Sequence, residues 1–108
     1  MRRQVWGFKL EGVDDPHPFL ILSNNHRNQH YGEVTTLRIT TKPKNPQNPT
    51  VVALQQADHP LKGFVICDDL APLPKAWIVG QQPWGYLCQD SMTKVETGVM
   101  VALGIVEP

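Results

Sequence analysis

Proline restricts the folds open to this chain more than any other feature. Ten prolines and eight glycines are spread through its 108 residues. Each proline fixes φ and removes a backbone donor, so long helices should be few and turns many. The segments between these breaks are short and apolar. Trp6, Phe8 and Leu10 alternate with polar or small residues and read as one face of a first strand. Asp14-Asp15-Pro16-His17-Pro18 reads as a loop, because its two prolines oppose regular pairing. Phe19 to Leu22 is a continuous apolar run, the pattern of a central strand buried on both faces. Ser23 to Gly32 is polar and rich in Asn and His and reads as a loop. Glu33 to Thr40 reads as a third strand, with Thr35, Leu37 and Ile39 on one face and Val34, Thr36, Arg38 and Thr40 on the other. A long turn over Lys42 to Pro49 follows. Thr50 to Leu54 and Phe64 to Cys67 read as further strands, and Ala76 to Val79 as a short one.

A helix is expected only near the C-terminus. Met92, Val95, Val99 and Ala102-Leu103 recur at helical spacing, Asp90 or Ser91 can cap the first turn, and Gly104 is a stop signal. Gly98 lies inside this helix and weakens it by roughly 1 kcal/mol relative to alanine, which packing must offset. The pattern is α+β, mainly β: short antiparallel strands in a strongly curved sheet or small barrel with a C-terminal helix. Without repeats or low-complexity tracts, residues 1–108 read as one domain.

Charge and composition narrow the function. A net charge of zero disfavours a grip on long duplex DNA, yet allows a short single strand at a local basic patch. No apolar run approaches the ~18 residues that span a bilayer, and Met1 to Trp6 leads into no signal-like apolar stretch, so a cytoplasmic protein is expected. Cys67 and Cys88 are then reduced and structural, and too few and too distant for a cysteine zinc motif. His26 and His30, four apart, would suit a metal on a helix, but this segment reads as loop and lacks a third ligand. No metal or cofactor is expected.

The order of short motifs resembles the MazF/PemK family of bacterial toxin ribonucleases. Arg2-Arg3-Gln4-Val5-Trp6 loosely resembles the family's opening strand. His17-Pro18, the apolar run to Leu22 and Ser23-Asn24 resemble its Arg-Pro segment, and Ile39-Thr40 its Ile-Thr. Pro49 to Val52 is similar to Pro-Thr-x-Val, and Val65 to Lys75 to Val-x-Cys-Asp-Gln-Leu-x-x-Leu-Asp-Lys. Met92 to Ile105 resembles the closing helix. The resemblance implies an SH3-like barrel with a terminal helix, usually a homodimer. It also implies metal-independent cleavage of single-stranded RNA and a small antitoxin as partner. The family's catalytic pair is the Arg of Arg-Pro and the Thr of Ile-Thr. Thr40 matches, whereas His17 stands in place of the Arg.

Cleaving RNA without metal requires a base for the 2′-OH proton, an acid for the leaving 5′-oxygen and positive charge near the phosphate. A histidine, with an ordinary pKa of ~6.5, can serve as base or acid. The expected catalytic residues are therefore His17 and Thr40. Arg38, Thr41, Lys42, Asp68 and Asp69 are the expected RNA contacts, with Lys44 adding charge. Asp69 replaces a family Gln, so base preference should differ. Asp14 and Asp15 lie where they could orient His17. Trp77 and Trp84 could stack bases or receive the antitoxin, although core or interface packing is the commoner use of tryptophan. Two alternatives differ in kind: a catalytically silent member that only binds RNA or protein, and a gyrase-directed toxin of the CcdB type. The Trp-Gly-Ile end that the latter requires is not matched by Gly104-Ile105-Val106-Glu107-Pro108.

Overall fold

Short apolar runs separated by proline turns can bury themselves only by pairing with one another. The computed structural model, which describes residues 1–108, shows them doing so in one antiparallel sheet. The elements are β1 (Gln4–Phe8), β2 (His17–Ile21), α1 (Asn25–His30), β3 (Glu33–Thr40), β4 (Val51–Ala53), β5 (Phe64–Pro74), β6 (Ile78–Val79), β7 (Gly85–Tyr86) and α2 (Gln89–Ala102). The sheet order is β4-β5-β3-β2-β1-β6, with β7 also paired to β1. This curled sheet with its terminal helix is the mainly β arrangement expected of an SH3-like barrel.

The sheet is buried on both faces. Val5, Leu20, Leu37, Val65 and Cys67 meet Met92 and Val95 of α2 on one side. On the other, Phe8, Phe19, Ile21 and Val34 pack with Trp6, Leu10 and Trp77. Phe8 and Phe19 meet edge to face, their centroids 5.5 Å apart. Trp6, Phe8 and Leu10 thus share a face, and Phe19 to Ile21 is buried on both sides, as the sequence predicts. Cys67 is free and buried, and burial, with Asp68 nearby, pushes its thiol up to about 12, so it packs as an inert apolar group.

Four expectations need correction. His17 and Pro18 are not loop but the first residues of β2, paired with Phe8 and Gly7. Pairing to β3 begins only at Phe19, so one edge of β2 is open at Pro18, where a missing donor is tolerated. The segment Ser23 to Gly32 holds a helix, α1, started by the Asn24 side chain, which accepts from the Arg27 N–H at 2.8 Å. Strand β5 runs on to Pro74 because β4 covers only Phe64 to Ile66, leaving an edge where Pro72 and Pro74 fit. Helix α2 begins at Gln89 and is not capped by Asp90 or Ser91. Instead Asp58, fully buried in a 3-10 turn, accepts from the N–H groups of Cys88 and Gln55, both at 2.8 Å, and from the Ser91 hydroxyl at 2.5 Å.

The far end of α2 closes as expected. Gly104 has φ 76°, and the Gly104 and Ile105 N–H groups return to the carbonyls of Val101 and Met100. Leu103, however, is 60% exposed and leaves the apolar stripe.

Gly98 also has a packing reason. A Cβ there would stand 2.7 Å from Cys67 Sγ, so glycine lets α2 lie directly on the sheet. Gly98→Ala is expected to destabilise the protein by about 1–2 kcal/mol, since overpacking outweighs the gain in helix propensity. The cost should shrink in a Cys67→Ala background, as a thermal double-mutant cycle can measure. Equal costs in both backgrounds would place the clash elsewhere.

Candidate active site

Strands β2 and β3 run antiparallel with Phe19 opposite Arg38. Carried two residues further, that register brings His17 alongside Thr40. The start of β2 and the end of β3 accordingly share a pocket of about 300 Å³, with His17, Pro18, Phe19, Arg38, Ile39 and Thr40 in its wall and Leu10 at its edge. Residues more than twenty apart in sequence meet because both sit at the same end of neighbouring strands.

His17 is exposed, and its ring has no hydrogen-bond partner in the protein, so both nitrogens are free for substrate. Asp14 and Asp15 are exposed and do not hold it. Thr40 Oγ1 accepts from the Lys42 N–H at 3.1 Å, which leaves the hydroxyl proton available to donate. Close by, Gly63 adopts φ 111°, and a Cβ there would stand 2.6 Å from the Thr40 carbonyl oxygen. Glycine is thus required behind the Thr40 backbone.

Arg38 sits opposite a wide bulge. Leu37 pairs with Leu70 but Ile39 with Val65, so the single residue Arg38 faces the four residues Ile66 to Asp69. The bulge breaks strict alternation and lets both Asp68 and Asp69 reach one groove. Arg38 Nε donates to Asp69, and the two side chains are nearly half exposed. Much of the positive charge expected of Arg38 is therefore already countered. Arg38 also divides the pocket from a second cup of about 160 Å³, whose wall includes Lys44, Asn45, Asn48, Asp68 and Asp69 over a floor of Val51 and Ile66.

The structure brings His17, Arg38 and Thr40 together, and Arg38 to Asp68 and Asp69. Thr41 and Lys42 are exposed on the turn beyond β3 and border neither cavity. Trp77 packs on the core next to Leu10 at the site's edge. Trp84 lies elsewhere, over Gly7 on the β1–β7 side. His26 and His30 are on a helix after all, their rings 4.6 Å apart, but no cluster of three His, Cys, Asp or Glu that could hold a metal is formed anywhere. A groove of about 460 Å³ between β4 and α2 contains none of the expected site residues. Sequence reasoning missed Asn45 and Asn48. The signal was present in Asn48-Pro49-Thr50, since Asn commonly bonds the backbone two residues on, and here Asn48 Oδ1 accepts from the Thr50 N–H at 3.0 Å.

The chain matches the family of PemK-like, MazF-like toxins of type II toxin-antitoxin systems over residues 2–103. It is similar to endoribonuclease MazF4 of Mycobacterium tuberculosis and endoribonuclease MazF1 of Mycobacterium bovis. Each is 36% identical over 91 residues, covering 84% of this chain and 82% of the relative. Among solved structures it resembles an endoribonuclease in complex with its cognate antitoxin from Mycobacterial species, with TM-score 0.86 and 34% identity over 100% of this chain and 98% of that one. A MazE-MazF complex from Deinococcus radiodurans, 20% identical with TM-score 0.77 over 95% and 93%, shares the fold. The chain therefore belongs to the PemK-like, MazF-like toxin family of type II toxin-antitoxin systems.

Proposed function

We propose that residues 1–108 act as one toxin domain, an endoribonuclease that cuts single-stranded RNA by attack of the substrate's own 2′-OH. The observation that carries this reading is the convergence of His17, Arg38 and Thr40 on one open pocket. Relatives that bear the name endoribonuclease support it. In the proposed step a base takes the 2′-OH proton, O2′ bonds to phosphorus, the P–O5′ bond breaks and O5′ receives a proton. A 2′,3′-cyclic phosphate and a 5′-OH result, and no co-reactant is consumed. The free His17 nitrogens suit the proton transfers. Arg38 can exchange Asp69 for a phosphate oxygen at little cost, since an exposed pair is weak. The Thr40 hydroxyl donates to another phosphate oxygen.

Duplex pairing would hold the ribose and phosphate away from in-line attack. The purified protein should cut a single-stranded RNA and leave the same strand intact once annealed to its complement. Equal cutting of both would overturn the single-strand reading. Thr40→Ala should lower kcat/KM by about 100-fold through loss of one phosphate donor and cost under ~1 kcal/mol in thermal unfolding. A large fall in Tm with normal activity would make Thr40 structural.

The partner reading follows the same face. The antitoxin is proposed to lay an acidic, apolar segment across Arg38, Lys42 and Lys44, competing with RNA. Val79, Trp84, Tyr86, Leu103 and Ile105 leave apolar surface exposed, which supports a homodimer in solution. No helix is long and apolar enough to cross a membrane, and an RNA substrate suits a cytoplasmic site of action.

A further inference from the structure

We infer that the cup beside the catalytic pocket reads a guanine base next to the cleaved phosphate. This inference rests on the ribonuclease reading above and adds to it the class of nucleotide selected. The cup shares Arg38 with the pocket of His17 and Thr40, so a base seated in one places its phosphate at the other. Its volume of about 160 Å³ suits one base. Val51 and Ile66 give it an apolar floor for a ring face, and the polar groups stand around the rim.

The rim has fixed hydrogen-bond polarity. Asn48 Oδ1 accepts from the Thr50 N–H at 3.0 Å and lies 2.8 Å from Thr50 Oγ1. A backbone N–H can only donate, so the atom facing it must be the amide oxygen, and the Asn48 NH₂ is the group left for a ligand. The Thr50 hydroxyl donates to Asp68 Oδ2, leaving Asp68 Oδ1 and the second lone pair of Oδ2 to accept from a ligand. Thr50 thus holds both groups in place, the Asn48 amide through its backbone N–H and the Asp68 carboxylate through its hydroxyl. Lys44 adds a second donor on the same rim.

Each base meets this rim differently. Guanine offers two adjacent donors, N1–H and N2–H₂, which a carboxylate accepts side by side, and two acceptors, O6 and N7, for Asn48 and Lys44. Adenine presents an unprotonated N1 toward the carboxylate. Cytosine has one amino donor beside the acceptor N3. Uracil has one N–H flanked by two carbonyls. Only guanine pairs the donors with Asp68 and keeps acceptors for the other two groups.

The test uses the purified protein and short single-stranded RNAs that carry G, A, C, U or inosine next to the scissile bond. Replacing G by A should lower kcat/KM by about 100-fold or more, since a site built to hydrogen-bond rejects an analogue that leaves its groups unpaired. Inosine, which lacks N2–H₂, should fall between the two. Asp68→Asn should bring the G-to-A preference below about tenfold. Binding is followed in parallel by anisotropy of the same labelled RNAs. Cleavage indifferent to guanine, or a full preference retained by Asp68→Asn, overturns the inference and leaves the ribonuclease reading standing. Guanine-selective binding without cleavage supports the cup and overturns the enzyme. Neither cleavage nor guanine-selective binding overturns both.

Discussion

Replacing His17 by alanine is expected to lower kcat/KM for RNA cleavage by about 1,000-fold, the scale of a lost general acid or base. The fold should be unaffected. His17 is exposed at the first position of β2 and hydrogen-bonds to no side chain, so Tm should move by only a degree or two, on the order expected for a surface substitution. His17→Arg should retain or raise activity, because it restores the residue that the family resemblance places before proline and puts a cation beside Thr40. Single-turnover assays at saturating enzyme decide between loss of chemistry and loss of binding. Unchanged cleavage by His17→Ala would show that the proton transfers occur elsewhere.

The largest effect on stability is expected at Asp58. Its carboxylate, fully buried, satisfies two backbone N–H groups and one hydroxyl and ties the Gln56–Asp58 turn to the start of α2. Asp58→Ala would leave these donors unpaired and untie the start of α2, at about 3 kcal/mol. For a domain of this size that lowers Tm by roughly 10–20 °C. The same residue sets an acid limit. Burial pushes its carboxyl up, but the hydrogen bonds from Ser91, Gln55 and Cys88 outweigh this and hold it below its ordinary value of 3.8. The unfolded chain therefore binds the proton more readily than the folded one. Asp58's contribution is present in full above about pH 4 and is lost as pH falls through the depressed folded value. Denaturation followed from pH 6 to pH 2 should show a steeper acid loss for the native protein than for Asp58→Asn. Parallel acid limbs would contradict this assignment.

Periodicity located most of the sheet because each strand's burial is written locally in its apolar alternation. Glu33–Thr40 could be bounded to the residue, and the two-sided burial of Phe19 to Ile21 could be read from their unbroken apolar run. What could not be read locally depended on neighbours. Pro18, Pro72 and Pro74 are acceptable in strands only because an edge is open beside them, which is a property of strand order. Helix α1 is too short and polar to show a period, and only the Asn24 cap marks it. The contact that anchors the start of α2, at the Cys88 N–H and the Ser91 hydroxyl, comes from Asp58, some thirty residues upstream, and no local pattern reports that.

The site divides in the same way. Thr40 and His17 were legible through short motifs, and the strand register explains why they meet. Arg38 could be placed near Thr40, but its pairing with Asp69 depends on the four-residue bulge in β5. The joint reach of Asp68 and Asp69 into one groove has the same origin, since regular alternation would have sent them to opposite faces. Thr41 and Lys42 were expected at the site from sequence proximity alone, and the chain carries them out onto the turn.

This chain is proposed to cut RNA with its own side chains, through the 2′-OH. The most direct measurement is to incubate the purified protein with a long single-stranded RNA in excess EDTA and determine the chemistry of the new ends. Discrete cuts are expected, each leaving a 2′,3′-cyclic phosphate or its 3′-phosphate product on one side and a 5′-OH on the other. Cuts abolished by EDTA, or ends carrying a 5′-phosphate and a 3′-OH, would contradict this proposal.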